Sequence, residues 1–319
     1  MSLRDQLSPC VRLRFPGFEK QYHFEERASL RGSDAYYFEP VDCRNWYRRI
    51  ADRILQSVDG GTYLPLYRMG DGEYLFALRE NPEGQVPFWD LSFSDKVRRL
   101  VRRLRGEAQR GSGGVYTVSE RKETYSKFVE GLRMVAEEGI LGLGLHEGQI
   151  YNRYIPEIFD WFDEHQIEIR RSNYIHVYAI YALMNGPDVT RLLGGRRVLV
   201  ITGLDNERAS NIRKGLKKKG VENVQFLPVS NRRSMLDTIQ VSAVEKPVDL
   251  VLIAAGIGTI NVLQQLRGLR VPQLDIGFCL DTIADPKLRW KRPFCVPDKE
   301  YDVERVEYVS DEVKKRAME

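Results

Sequence analysis

The sequence predicts an α/β protein: a mostly parallel β-sheet with helices on both faces, preceded by an irregular N-terminal arm. Three observations predict it. Two apolar runs of strand length, Arg197 to Thr202 and Val248 to Ala255, lack the alternation of a sheet with one wet face, so both faces of each are buried. Each is followed by glycine and then by a segment of helical period. Strand and helix signals alternate through the C-terminal half, the order that gives parallel strands joined by crossover helices.

Taken in chain order, residues 1 to 42 read as the arm, with Val11 to Phe15 and Gln21 to Phe24 hinting at short strands. Asn45 to Val58 has helical periodicity, with Trp46, Ile50, Ile54 and Leu55 on one side, and Gly60-Gly61 ends it. Tyr63 to Met69 is a strand whose Pro65 implies an edge or an early strand position. A helix begins near Gly72, and residues 94 to 110 form a basic amphipathic helix. Val115 to Val118 reads as a short strand, 121 to 138 as a helix, and Ile140 to Leu145 as a strand relieved of bulk by glycines. Tyr151 to His165 and Asn173 to Met184 read as helices, the second stopped by Asn185-Gly186-Pro187. After the strand at 197 to 202 come a helix over 206 to 219, a strand over 224 to 229 and a helix over 233 to 243. The second buried strand leads through Gly256-Ile257-Gly258 to a helix over 259 to 268, and Pro272 to Gly277 is the last strand. Domain organisation follows: arm 1–42, an α/β domain 43–296, and a charged tail or helix over 297–319.

Composition narrows the function classes. The 319 residues are 42% hydrophobic and 29% charged, which supports a folded core rather than a disordered chain. The net charge of +4 is spread along the sequence and suits an enzyme of phosphate-bearing substrates. The basic runs at 98–105 and 217–219 fall in helical segments and lack a nucleic-acid motif, so no nucleic-acid partner is expected. Cys10, Cys43, Cys279 and Cys295 have neither C-x-x-C nor disulfide-framework spacing, and free thiols are expected. No apolar run reaches the ~20 residues of a membrane span, and a cytoplasmic protein is expected, with peripheral contact to a membrane-bound acceptor left open.

The sharpest motif is Arg68-Met69-Gly70-Asp71-Gly72-Glu73, which follows a strand and opens a helix. Ligands of parallel sheets sit at the carboxyl ends of strands. Asp71 and Glu73 are placed to share one divalent cation, since hard cations prefer carboxylate oxygen. Gly70 and Gly72 allow close approach, and Arg68 offers a charge to a phosphate. The same spacing also fits Asp71 as an N-cap, Glu73 as a first-turn acid and Arg68 as their ion-pair partner. Gly256, Gly258 and Thr259 form either a phosphate cradle or a tight turn capped by Thr259. Gly203 opens another strand-end loop, in which Asp205 reads as a helix cap while Asn206 or Arg208 is a candidate for a diphosphate. Asn231 with Arg232 and Arg233 reads as a solvated loop, and His176 as a packed helix residue. His146 beside Glu147 and, better placed, Asp281 are candidates for a general base.

The motif R-x-G-D-G-E after a strand resembles the signature of the GT-D glycosyltransferases. Val251 to Thr259, Leu274-Asp275-Ile276-Gly277 with Asp281, and Val198 to Gly203 resemble further elements of that family, over about residues 45 to 292. The chain departs from the pattern at Met69, where the family has an aromatic residue, and at Cys279, where it often has histidine. The resemblance implies a Rossmann-like fold and a metal-dependent glycosyltransferase. Its donor is a nucleoside-diphosphate sugar, a UDP-sugar first, and its acceptor a glycan, glycoprotein or lipid-linked hydroxyl. Asp71 and Glu73 then become the D-x-E pair for Mn²⁺ or Mg²⁺. Gly70, Gly72, Gly203, Gly256, Gly258 and Thr259 line the donor site, and Arg68 and Asp281 take catalytic roles. A homo-oligomer is compatible with this. The alternatives are a metal-dependent phosphoryl-transfer or phosphoesterase enzyme, and a non-catalytic nucleotide-binding module.

Overall fold

The computed structural model describes residues 11–14, 34–37, 43–78, 92–104, 116, 118–143, 155–170, 172–245, 247–291, 294–297 and 307–309. Ten strands are present among them. β1 (Val11–Arg14), β2 (Asp34–Tyr37) and β10 (Glu307–Val309) form a small antiparallel sheet in the order β10-β1-β2. This sheet ties two segments of the arm to the C-terminal stretch, where the sequence suggested a charged tail or helix. Gln21 to Phe24 and His146-Glu147 lie outside the described residues.

The main sheet comprises β3 (Pro65–Met69), β4 (Ile140–Leu143), β5 (Tyr174–His176), β6 (Arg197–Thr202), β7 (Asn223–Pro228), β8 (Leu250–Ala254) and β9 (Gln273–Asp275). Its order is β5-β4-β3-β9-β8-β6-β7, and every pairing is parallel. Val198 to Ile201 and Leu250 to Ile253 are buried along their whole length, as the apolar runs predict for strands covered on both faces. Pro65 is the first residue of β3, which is central rather than at an edge; its missing N–H falls where the strand begins.

The helices are α1 (Cys43–Gly60), α2 (Asp71–Ala77), α3 (Phe93–Leu104), α4 (Val118–Glu138), α5 (Ile155–Glu164), α6 (Ala179–Asn185), α7 (Val189–Leu193), α8 (Asn206–Lys218), α9 (Thr259–Leu266) and α10 (Cys279–Ala284). Gly131 of α4 lies against Ile260 of α9, where a Cβ would come within 2.4 Å of Cγ1. Gly215 of α8 lies against Ile283 of α10, where a Cβ would come within 2.4 Å of the carbonyl oxygen. These two glycines let each helix pair approach closely. The chain leaves β6 toward β7 and leaves β8 toward β9, so neighbouring strands diverge in opposite directions. Divergence of this kind opens a crevice at the carboxyl ends of a parallel sheet.

Three segments differ from the sequence expectation. Tyr174 to His176 is a strand, and the helix starts only at Ala179; aromatic and β-branched residues suit a pleated surface, and Tyr174 pairs with Leu141 beside it. Val118 opens α4 instead of closing a strand. Residues 233 to 243 form two short 3₁₀ turns, Ser234–Leu236 and Val241–Ala243. Here side chains hold the backbone: Asn261 Nδ2 donates to the carbonyls of Ser234 and Asp237 at 2.9 Å each, and Ser234 Oγ donates to Ala255 O at 2.8 Å.

Candidate functional site

Four segments singled out in the sequence follow four adjacent strands. In sheet order, Arg68 to Glu73 follows β3, Gly277 to Asp281 follows β9, Gly256 to Thr259 follows β8, and Gly203 to Arg208 follows β6. Because the strands are parallel, all four stand on one rim. Side chains link β3 to β9, and α10 to the loop after β6.

At the first junction Arg68 is held by Asp275 of β9. Its backbone N–H donates to Asp275 Oδ2 at 3.1 Å, and its Nε lies 3.6 Å from Oδ1. The guanidinium sits 4.6 Å from the ring centre of Tyr181, and Nη1 donates to Val177 O at 3.5 Å. Gly277 has φ +37°, and a Cβ there would lie 2.0 Å from Arg68 Nη2, so the residue must be glycine for the guanidinium to fit. Burial opposes the charge on Arg68, but Tyr181, Asp275 and Glu73 together raise its pKa. Burial likewise pushes the Asp275 carboxyl up, against the pull of Arg68. Arg68 is therefore held between β9 and Tyr181, with Asp275 as its counter-charge.

Glu73 is buried, and its Oε2 accepts the Gly70 N–H at 2.9 Å, which caps the start of α2. The N-cap position is thus Gly70 rather than Asp71, and the acid that closes the cap is Glu73 in the first turn. α2 is fixed from behind by Phe76, whose ring meets that of Phe128 edge-on at 5.2 Å. Asp71 is the first residue of α2, two positions before Glu73.

At the far junction Asp281 of α10 accepts from Arg208 Nη2 at 2.6 Å, and Arg208 Nη1 donates to Gly203 O at 2.6 Å. This pair is partly open to solvent, with side-chain exposures of 28% and 36% for Arg208 and Asp281. Burial raises the Asp281 pKa, and Arg208 pulls it back. Asp205 caps α8 by accepting Arg208 N–H at 2.7 Å. Asn231 lies over Gly203, where a Cβ would come within 1.5 Å of its Oδ1. Of the glycine turn after β8, Gly256 is exposed with φ +55°, whereas Gly258 and Thr259 are buried. Thr259 Oγ1 accepts the Ala255 N–H at 3.3 Å, so its hydroxyl closes the turn instead of facing the rim.

Beneath the rim, Cys279 and Cys295 are free, buried thiols, as expected for them. The hydrogen bond with Cys295, helped by Lys219 and Asn185, pulls Cys279 down to about 7, while burial pushes Cys295 up. The sequence reading did not give Asp275 a role of its own. A signal existed: an acid closing an otherwise apolar strand requires a partner. The Arg208–Asp281 pair left no local signal, since 73 positions separate its members.

The family model described as the GT-D fold-like domain matches residues 128–283. That stretch, just under half of the chain, is what this protein shares in pattern with a GT-D fold-like domain. The GT-D fold is a glycosyltransferase fold, and the matched stretch runs from α4 to α10. It contains Gly203, Gly256, Asp275 and Asp281, while Arg68 to Glu73 precede it. A solved structure described as the selenomethionine-substituted domain of unknown function 1792 aligns with 71% of this chain and 81% of its own. Their identity is 11% and the TM-score 0.39. No curated protein matches the chain. Among the described residues, no helix is long and apolar enough to cross a membrane, and no cluster of three or more metal-binding side chains is present.

Proposed function

We propose that the GT-D fold-like chain is a metal-dependent glycosyltransferase that moves a sugar from a nucleoside-diphosphate donor, a UDP-sugar, to a hydroxyl of a glycan, glycoprotein or lipid-linked acceptor. The reading is carried by one observation: four motif-bearing segments stand on the carboxyl rim of adjacent parallel strands, beside the point where β6 and β8 diverge.

The donor atoms suit a hard divalent cation. Glu73 is held at the strand end by its bond to Gly70, and Asp71 is two residues away. Two carboxylates are enough when substrate phosphates complete the coordination shell, which is the usual arrangement for Mg²⁺. Asp71 and Glu73 would hold Mn²⁺ or Mg²⁺, with the Glu73 carboxylate fixed in place by its bond to the Gly70 N–H. The chemistry supplied by a bound cation is neutralisation of charge on the leaving nucleoside diphosphate. Gly70 and Gly256 leave room for the donor to approach the backbone, whereas Gly72 is buried and the space over Gly203 is taken by Asn231. Arg208, partly open at the rim, offers its guanidinium to the diphosphate. Asp281 accepts the proton of the acceptor hydroxyl as a general base. Arg68 touches no substrate and acts by keeping the end of β3 beside β9.

Donor hydrolysis across a panel of nucleotide-sugars with Mn²⁺ tests this, comparing the wild type with Asp71→Ala and Glu73→Gln. Glutamine keeps an oxygen for the Gly70 N–H while removing the charge. The expected result is slow sugar release in the wild type, abolished by chelation and in both variants, with Mn²⁺ binding lost in parallel. Full activity in either variant overturns the metal assignment. Inorganic phosphate as the sole product, without sugar release, overturns the transferase reading.

A further inference from the structure

Helix α3 has a surface the fold does not use. Phe93, Val97, Leu100, Val101 and Leu104 are 83%, 45%, 55%, 37% and 81% exposed. Among the described residues these are the exposed large apolar side chains, and all five belong to this one helix. At 100° per residue they fall in one stripe about 100° wide. A soluble helix normally turns such a stripe into the core, as α8 does with Ile212 and Leu216. The remainder of α3 is cationic: its sequence carries Lys96, Arg98, Arg99, Arg102 and Arg103 against a single acid, Asp95. On the helical wheel Lys96 and Arg103 border the stripe on one side and Arg98 on the other.

We propose that α3 is a docking surface for an anionic lipid membrane, lying in the plane of the interface with its apolar stripe in the acyl boundary. The chemistry selects this occupant. An apolar stripe bordered by Lys and Arg is the form that inserts shallowly while its cations meet lipid phosphates. A second copy of the helix would bring the cationic borders of both stripes together along the seam. A nucleic-acid backbone would satisfy the cations but leave five apolar side chains against water and phosphate. Twelve residues make a helix about 18 Å long, short of the ~30 Å hydrocarbon core, so α3 lies on a bilayer rather than through it. The inference stands independently of the transferase reading, because neither its residues nor its test involves the rim.

Vesicle flotation of the full chain decides it, with phosphatidylcholine vesicles compared against phosphatidylcholine mixed with phosphatidylglycerol. The wild type is expected to float with the mixed vesicles only, and added salt should release it. Leu100→Glu combined with Leu104→Glu should lower the bound fraction at least tenfold, at unchanged thermal stability because both side chains are already exposed. Lys96→Ala with Arg98→Ala, one cation from each border of the stripe, should lower it several-fold in the mixed vesicles. Absence of binding to the mixed vesicles overturns the proposal, as does equal binding to both kinds. It is also overturned if the wild type sediments as a dimer that the Leu100→Glu, Leu104→Glu variant dissolves, because the stripe then serves self-association.

Discussion

Replacing Asp275 by asparagine tests the junction between β3 and β9 most directly. The carboxylate is 6% exposed, and its partner Arg68 is 13% exposed. It accepts backbone N–H groups from Arg68 and Gly277 at 3.1 Å each, besides its ion pair. Asparagine keeps the shape and one acceptor oxygen but leaves the guanidinium without a counter-ion. Removing one partner of a buried pair costs about 3–5 kcal/mol, because an unbalanced charge stays behind. For a domain of this size about 3 kcal/mol lowers the melting temperature on the order of 10 °C. Urea unfolding followed by circular dichroism measures the loss. A cycle with Arg68→Met and Asp275→Leu isolates the coupling: the double variant should recover most of the stability, since a buried pair replaced by apolar groups is often neutral. A single-variant loss under about 1 kcal/mol, or additivity within about 0.5 kcal/mol, would refute the reasoning and return Arg68 to the role of ligand-facing cation.

Other expectations concern the rest of the rim and its supports. Gly215→Ala puts a methyl into the Ile283 carbonyl, so α8 and α10 should separate; a loss of roughly 1–3 kcal/mol and reduced turnover are expected, read by urea unfolding and donor hydrolysis. Arg197 grips Asp249 through Nε at 2.9 Å and Nη2 at 2.6 Å, which holds that carboxyl below its ordinary range. Its contribution is therefore present above the ordinary carboxylate pKa and lost as pH falls through the lower folded value. Asp249→Asn should cost about 1 kcal/mol at neutral pH, given its partial exposure, and flatten the acid limb of a stability titration. Burial raises the Asp281 pKa and Arg208 lowers it, so Arg208→Ala should move the acid limb of the kcat/KM profile for the donor, which reports the free enzyme, to higher pH; an unmoved limb there would exclude Asp281 as the base.

What the sequence revealed follows from how local each signal is. The strands at 197–202 and 250–254 were legible because full burial leaves a run of apolar residues that needs no partner to be recognised. The cap at Asp205 and the bond from Gly70 to Glu73 close within three residues, so their spacing is visible in the chain. Tyr174 to His176 was not legible, because three residues carry no period and Val177 to Tyr181 continue the same aromatic and apolar pattern into α6. The 233–243 segment misled for a different reason: Asn261, 24 to 27 positions away, claims the carbonyls a helix would have used. Within the site, Asp71 and Glu73 were singled out by the glycine-flanked motif together with its resemblance to the R-x-G-D-G-E signature. The partners that decide what Arg68 and Asp281 do come from other strands, Asp275 and Arg208, and appear only once the sheet is assembled.

The two ion pairs on the rim differ in a way that bears on the proposed chemistry. Arg68 and Asp275 are both largely buried and joined partly through backbone groups. Arg208 and Asp281 are joined side chain to side chain and remain about a third exposed. A diphosphate offers Arg208 more negative charge than one carboxylate does, and planar guanidinium groups favour such oxygens. Donor binding on the proposed reading therefore draws Arg208 away from Asp281. Removing that cation takes away the one influence that lowers the Asp281 pKa and leaves burial, which raises it. The carboxylate becomes a stronger base at the moment the donor is in place, and less so in the empty enzyme, where Arg208 restrains it. On the proposed reading the first junction fixes the position of the rim, and the second is the part of it that a substrate rearranges.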